Sequence, residues 1–278
     1  MRPPLPDAAV RRVLLPVTWL TLALPALLLV FVFLSALPAL GAAGPLAFLT
    51  DTNWAPTSGR YNLLPMVAGS VVSSLLALLI ATPPALAYGF HVNLYAGHRW
   101  ARVGRATVGL LAGIPSVVFG LVALTRLVPL LVEDHPPGLG LGVSAVTLGV
   151  MIFPTAAAGC DAAVAQVGTE GVVAVRALGL GAWDAARAVV WPLALPGIRA
   201  GLVLALARAL GETMAVLMVA GNTVAWPTGL FAPFRTLTGN IAVEMAYATD
   251  LHRAALFTSA LVLFGLVGGI NTLAGRRA

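Results

Sequence analysis

The sequence contains no lysine, a single cysteine and very little charge of either sign. Only 9% of the 278 residues are charged, whereas soluble domains are about 25% charged, so most of the surface cannot face water. Cys160 has no partner in the chain, which excludes an intrachain disulfide. Without lysine there is no P-loop, in which a lysine contacts the nucleotide phosphates. Any work driven by ATP must therefore be done by another polypeptide.

Apolar residues make up 59% of the chain and fall into long runs without charge. About 20 residues at 1.5 Å each cross a hydrocarbon core of roughly 30 Å. We therefore expect an all-α, polytopic membrane bundle of six transmembrane helices. The predicted helices lie near residues 14–37, 66–90, 107–131, 141–164, 198–222 and 252–273. The first run is too long for a signal peptide and is expected to be a retained anchor.

An even number of spans places both chain ends on one side of the membrane. That side and its loops hold most of the arginines, which marks it as cytoplasmic by the positive-inside rule. The predicted organisation is a cytoplasmic tail at 1–13 and one transmembrane domain at 14–275, with a cytoplasmic segment near 169–192. The arginines are scattered rather than clustered on one face, so the net charge of +6 does not indicate a nucleic-acid partner.

Arg208 and Glu212 are two opposite charges deep inside a predicted span. Residues four apart share one face of a continuous helix, so we expect an ion pair. Charges at membrane depth usually face a bundle interior or a watery path, and a guanidinium matches the oxygens of phosphate or carboxylate. One interpretation is an anion path, in which Glu212 neutralises Arg208 when no anion is bound; the other is a salt bridge that only locks helices. Thr213 and Asn222 add polar groups, although each alone also suits a hydrogen bond between helices.

Residues 165–197 form the longest loop on the predicted cytoplasmic side. The stretch 169–190 predicts two short helices separated near 179–181, and Pro192 and Pro196 are expected to end it before the fifth span. Its exposed apolar residues suit either docking into a groove of a partner or an amphipathic helix on the lipid surface.

This loop resembles the EAA loop of ABC importer permeases, the coupling helix that seats in the ATPase subunit. Gly179 and Pro192 keep the spacing of that loop, but Val173 stands where the family has its glutamate and Val175 where it has its third alanine. Seating here would therefore depend on shape and apolar contact. The resemblance implies that the residues coupling this chain to an ATPase are Ala174, Ala177, Leu178, Gly179 and Leu180.

A more specific resemblance surrounds the two charges. Residues 207–218 have the sequence Ala-Arg-Ala-Leu-Gly-Glu-Thr-Met-Ala-Val-Leu-Met and are followed by Gly-Asn. This stretch is similar to the PstC-type permeases of phosphate-specific ABC importers. The stretches 113–121 and 235–245 support the similarity, which runs from about residue 45 to 275. It implies a type I importer permease of the MetI-like fold, located in the bacterial inner membrane, that passes phosphate.

The resemblance also implies an assembly. Its members would be a PstA-like permease, a PstB-like ATPase dimer and a PstS-like phosphate-binding protein, with inorganic phosphate as substrate and the lipid bilayer as surroundings. The chain itself would bind no cofactor or metal and would have no catalytic site, since ATP is used by the partner ATPase.

Arg208 and Glu212 match the family's charged pair associated with phosphate passage. A single arginine is sparse for a divalent anion, so we expect an arginine of the partner permease to complete the site.

Three alternatives stay open at this point. The polar residues do not separate phosphate from sulfate or molybdate, and a passive scaffold or channel has the same composition. A membrane-embedded enzyme is disfavoured because no histidine lies beside a carboxylate motif. The histidines, expected to be interfacial anchors or loop residues, are His91, His98, His135 and His252.

Overall fold

A computed structural model describes residues 7–167, 179 and 181–275. In chain order its helices are α1 (Asp7–Ala43), α2 (Ala47–Thr50), α3 (Leu64–Leu94), α4 (His98–Ala112), α5 (Ser116–Val122), α6 (Val128–Leu131), α7 (Leu141–Gln166), α8 (Ala182–Ala185), α9 (Trp191–Gly211), α10 (Met214–Val219), α11 (Leu237–Glu244) and α12 (Asp250–Gly275). Two short strands, β1 (Trp54–Ala55) and β2 (Arg60–Tyr61), pair antiparallel. The all-α membrane bundle predicted from the apolar runs is confirmed.

Among the described residues, five helical segments are long and apolar enough to cross a membrane, and a bent pair makes the sixth span. The bend is 86° and separates α4 from α5–α6, so the span predicted near 107–131 consists of two helices that meet at an angle. Pro115 causes the break, because it lacks an N–H and disfavours a helical residue before it. α4 therefore runs in a different direction from the rest of the third span.

The helix α7 is the centre of the bundle, and about two thirds of its most apolar stretch of residues is buried. It crosses α9 so closely that a Cβ built on Gly159 would lie 2.7 Å from Gly201 Cα, and one on Gly197 would lie 2.8 Å from Ala163 Cβ. The small residues at 197 and 201 let the two helices approach this closely. The similar glycine spacings at 109–113 and 265–269 make no such contacts with the described residues.

The fifth span differs most from its prediction. One helical segment of 30 residues runs from Ala182 to Gly211, so Pro192 and Pro196 lie inside a helix and do not end the preceding loop. A π-helical turn over Ala186–Val190 precedes Pro192. This turn shifts the backbone hydrogen-bonding pattern just where the proline cannot donate, which lets the helix continue.

Candidate functional site

The fifth span is interrupted at the two residues that follow α9. Glu212 has an extended backbone with ψ of 132°, and the chain resumes a helix only at Met214 in α10. Glu212 is therefore not on the helix face of Arg208, and the predicted ion pair between them is wrong. The Glu212 side chain turns the other way, where Oε1 accepts a hydrogen bond of 3.1 Å from the Ala215 N–H. It closes the first turn of α10.

The backbone of this interruption is satisfied by neighbouring groups. Thr238 Oγ1 in α11 donates to the Glu212 carbonyl at 2.8 Å, and the Leu217 N–H donates to the Thr213 carbonyl at 2.9 Å. Broken helices at membrane depth are tolerated when the freed polar groups are paired in this way, and they usually border a cavity. The side chain of Thr213 is half-buried at the same point.

Arg208 lies one turn before the interruption, near the end of α9. Its Nη1 donates to Thr155 Oγ1 of α7 at 3.0 Å, and the side chain is exposed. Within the described ranges it forms an ion pair with no acidic residue. A permanently charged guanidinium at membrane depth is costly unless it meets water or a counter-ion. The structure thus presents Arg208 as a cation whose charge is not neutralised within this part of the chain.

Thr155 also lines a cavity of about 740 Å³ between α3, α4, α7 and α9. The lining is mostly made of small apolar residues, and Leu204, one turn from Arg208, belongs to it. Further polar lining comes from Tyr88, Arg105 and Asp161. The arginine at the helix interruption is therefore hydrogen-bonded to the wall of a cavity large enough for a small hydrated anion.

The side chain of Asn222 bonds to the backbone at the end of α10. Its Nδ2 donates to the Leu217 carbonyl at 2.8 Å and caps α10. Its backbone has a φ of 51°, a left-handed conformation that asparagine adopts more readily than most residues. The structure therefore brings Arg208 together with Thr155, a residue that the sequence interpretation did not select.

The predicted coupling residues lie mostly beyond what the structure describes. Ala174, Ala177, Leu178 and Leu180 are outside the described residues. Gly179 has a φ of +78°, which favours glycine. The N–H of Gly181 donates to Asp184 Oδ2 at 3.1 Å as α8 begins, so a helix does start directly after the predicted separation near 179–181.

A second polar cluster, not anticipated from the sequence, is buried around α11, the same helix whose Thr238 bonds to the Glu212 carbonyl. Glu244 accepts hydrogen bonds from Arg235 Nη1 at 2.6 Å and from Trp54 Nε1 at 2.9 Å. His252 Nε2 lies 2.8 Å from Glu244 Oε2, and because a carboxylate only accepts, this nitrogen donates. The expectation that His252 is an anchor or loop residue without a carboxylate partner is wrong. Trp54 and Glu244 are 190 positions apart, a distance at which no local sequence pattern gives a signal.

These features define a class of membrane protein. The chain belongs to the family described as the binding-protein-dependent transport system inner membrane component, which matches residues 85–272. It is thus a multi-pass permease component of an inner-membrane transporter family, as the resemblance noted in the sequence implies.

Individual relatives narrow the comparison. The chain is 36% identical over 225 residues to the probable ABC transporter permease protein YqgH of Bacillus subtilis, covering 79% of this chain and 73% of that protein. It is 32% identical over 240 residues to the phosphate transport system permease protein PstC of Xylella fastidiosa, covering 78% and 74%. The probable PstC of Methanocaldococcus jannaschii is 32% identical and covers 92% of this chain and 89% of its own.

Solved structures confirm the fold. An inward-facing structure of the MetNI methionine ABC transporter matches with a TM-score of 0.62 at 20% identity, covering 77% of this chain and 93% of that chain. A crystal structure of an amino acid ABC transporter with histidines matches with a TM-score of 0.54 at 17% identity, covering 78% and 94%. The type I permease fold expected from the sequence is therefore confirmed.

Proposed function

We propose that this chain is a permease subunit of an ATP-driven importer of inorganic phosphate and forms half of the translocation path. The observation that carries the proposal is Arg208: a guanidinium at a helix interruption, exposed and held to the cavity wall by Thr155. Relatives named as PstC phosphate permeases point to phosphate among the tetrahedral oxyanions. Arginine suits such an anion because its planar fork forms paired hydrogen bonds to phosphate oxygens.

The proposed assembly is supported by the relatives named as permeases of phosphate transport systems. Two PstB-like ATPase subunits supply ATP hydrolysis, a PstA-like permease forms the other half of the path, and a PstS-like protein delivers phosphate. This chain contributes no cofactor. In the proposed orientation, both termini and the segments near 91–106 and 165–197 face the cytoplasm, where their arginines are favoured.

In the proposed cycle, phosphate enters between the two permeases and meets Arg208. ATP binding to the ATPase pair moves the segment around 173–190 and rocks the permeases, so that Arg208 is open to one side at a time. The helix interruption after Gly211 allows α9 to move while α10 stays packed against Gly120, whose built Cβ would lie 2.9 Å from Ala215 Cα. Binding at Arg208 need only be modest, because a site that holds its anion tightly releases it slowly.

The proposal is tested with the four-component complex in proteoliposomes. Uptake of radiolabelled phosphate should require both ATP and the binding protein. Unlabelled phosphate should compete for uptake, whereas sulfate and molybdate at the same concentration should not. Stronger competition by sulfate or molybdate would assign the permease to that oxyanion. Uptake without ATP would indicate a channel and contradict the proposal.

Coupling through the loop is tested at Gly179. A Gly179→Arg substitution should uncouple ATP hydrolysis from uptake, because it places a long cation on the proposed docking surface. Gly179→Asn is the matched control, since asparagine tolerates the left-handed backbone seen there. Coupling that is equally lost in both variants would indicate backbone strain, and coupling retained in Gly179→Arg would refute the docking assignment.

A further inference from the structure

We propose that Arg105 is a second oxyanion-binding position, at the cytoplasmic end of the cavity whose wall holds Arg208. The inference rests on the proposed function and extends it, because it adds an exit position to the path. Arg105 lies on α4 and lines the 740 Å³ cavity together with Thr155. Neither the spacing of the charges nor the resemblance to known permeases singles it out.

The geometry of Arg105 leaves donors available. Its Nε and Nη2 donate to Asp161 at 2.8 and 2.9 Å, and Nη2 also donates to Asn93 Oδ1 at 3.2 Å. Arginine carries five N–H donors, so the two on Nη1 have no acceptor in the described part of the chain. The side chain of Arg105 is 47% exposed, whereas that of Asp161 is 14% exposed. The guanidinium is thus oriented by Asp161 and Asn93, and its Nη1 edge is not used by the described residues.

Asp161 is the counter-ion of Arg105 when no anion is bound. It is itself oriented by Asn93, whose Nδ2 donates to Asp161 Oδ1 at 2.8 Å. A carboxylate that neutralises the arginine in the empty cavity also keeps the affinity for an anion modest, because an entering oxyanion must share the guanidinium. This is the role that the sequence suggested for Glu212 at Arg208, and the structure assigns it to Asp161 at Arg105.

The two arginines are spaced for successive binding along one helix. Arg208 is fixed at Thr155 and Arg105 at Asp161, and six residues of α7 correspond to about 9 Å of helix rise. Conduction requires positions that are each weak enough to release the ion to the next. The buried hydroxyl of Tyr88, which also borders the cavity, has no hydrogen-bond partner among the described residues. It supplies one more donor at the Arg105 end when that end rearranges around an anion.

The alternative role of the Arg105–Asp161 pair is a salt bridge that only ties α4 to α7. The two roles predict different effects of Asp161→Asn on anion binding. Removing either partner breaks a salt bridge equally, so Arg105→Gln and Asp161→Asn should then behave alike. If Arg105 binds the anion, the two substitutions should have opposite effects. Arg105→Gln removes the guanidinium that binds the anion, whereas Asp161→Asn removes the carboxylate that competes with the anion for that guanidinium.

The experiment uses thiol protection in the assembled complex, in inside-out vesicles. Gly109 lines the cavity and a Cβ added there meets no atom within 4 Å, so Gly109→Cys introduces an accessible thiol. Gly97→Cys, at an exposed glycine with similar space outside the cavity lining, is the matched control. The native Cys160 is buried and should stay unreactive. A membrane-impermeant methanethiosulfonate is added with and without inorganic phosphate.

We expect saturating phosphate to slow modification of Gly109→Cys at least threefold and to leave Gly97→Cys unchanged. Adding Arg105→Gln should abolish the protection. Adding Asp161→Asn should preserve it and shift it to lower phosphate concentrations. Equal loss of protection in the two variants would overturn the proposal in favour of a salt bridge. A thiol at Gly109 that never reacts would overturn it too, because the cavity would then be filled by lipid.

Ala112→Cys, which lines the same cavity, provides a second labelling position in case Gly109→Cys fails to assemble. The absence of protection at both positions contradicts the proposal. The labelling result is separate from transport. If the unmodified complex takes up no phosphate, the proposed function fails; if it takes up phosphate while both thiols are unprotected, only the Arg105 position fails.

Discussion

Arg208 and Arg235 carry the same charge but lie in opposite kinds of surroundings. Arg235 is 13% exposed and bonded to the Asn222 carbonyl, Asn240 Oδ1 and Glu244 Oε1. Arg208 is exposed and, among the residues that the structure describes, has the Thr155 hydroxyl as its hydrogen-bond partner. A guanidinium whose donors are already used has little left for a ligand, whereas one with a single neutral acceptor is free to bind. The difference separates an arginine that holds the fold from one that we propose to contact phosphate.

The two arginines also differ in the part of the structure to which they belong. Arg235 and Glu244 sit with Trp54 and His252 in a buried cluster that ties the segment before α3 to α11 and α12. Every charge in that cluster has an oppositely charged or hydrogen-bonding neighbour, as burial requires. Arg208 lies one turn before a helix interruption, where the backbone groups are paired by neighbouring side chains rather than by the helix itself.

The largest expected effect is on transport, from Arg208→Gln. Glutamine keeps polarity but loses the charge-assisted hydrogen bonds, worth about 1.5–3 kcal/mol each. Loss of two such bonds should lower phosphate uptake by at least about 100-fold, while the complex still assembles. Uptake in cells and subunit composition after purification measure the two quantities. Normal uptake would remove Arg208 from the path, and failed assembly would give it the structural role now assigned to Arg235.

The next effect is on stability, from Glu244→Ala. Removing this carboxylate leaves the Arg235 charge and the His252 donor buried without their acceptor, which should destabilise the chain by about 3–5 kcal/mol. Thermal unfolding of the purified complex measures the loss. Glu244→Gln, which keeps an acceptor oxygen, should lose less. If Glu244→Ala abolished uptake without changing stability, the Glu244 cluster would have a role in transport instead of a role in stability.

A smaller effect is expected from Thr155→Val, which is close in shape but removes the hydroxyl that accepts from Arg208. Losing one hydrogen bond of about 1 kcal/mol should reduce uptake roughly fivefold without affecting assembly. Thr147→Val is the matched control on the same helix, because its buried hydroxyl donates to the Val143 carbonyl within α7. If both variants reduce uptake to the same extent, the Thr155 hydroxyl has no specific role in placing Arg208.

The smallest effect is expected from Trp54→Phe. Phenylalanine keeps the aromatic packing and loses the N–H that donates to Glu244 at 2.9 Å, so stability should fall by about 0.5–1.5 kcal/mol. Uptake per assembled complex should be unchanged. A selective loss of uptake in this variant would contradict the division between a structural and a transporting arginine.

The sequence predicted those features that depend on length, periodicity or a single residue. The six spans follow from uncharged runs of sufficient length, and the position of Arg208 follows from the rarity of charge inside them. The Arg208–Glu212 pair failed because residues four apart meet only on an unbroken helix, and no proline marks the break after Gly211. Glycine at that position, a weak helix former, was the available signal.

Long-range contacts could not be predicted from local patterns. Arg105 and Asp161 are 56 positions apart and meet because α4 bends away from α5 and lies against α7. Thr155 gives no signal in the sequence, because a lone threonine in an apolar helix usually bonds to its own backbone. Its role becomes apparent only when α9 places Arg208 opposite.

The close crossing at Gly159 and Gly201 gives the long helical segment a fulcrum. About 19 residues, or roughly 28 Å, separate Gly201 from Ala182, and about 7 residues, or roughly 10 Å, separate it from Arg208. The segment is therefore a lever with arms in a ratio of nearly three to one. If the segment pivots as a rigid rod at this crossing, a movement of about 3 Å at Ala182 would displace the Arg208 end by about 1 Å, enough to make or break a hydrogen bond.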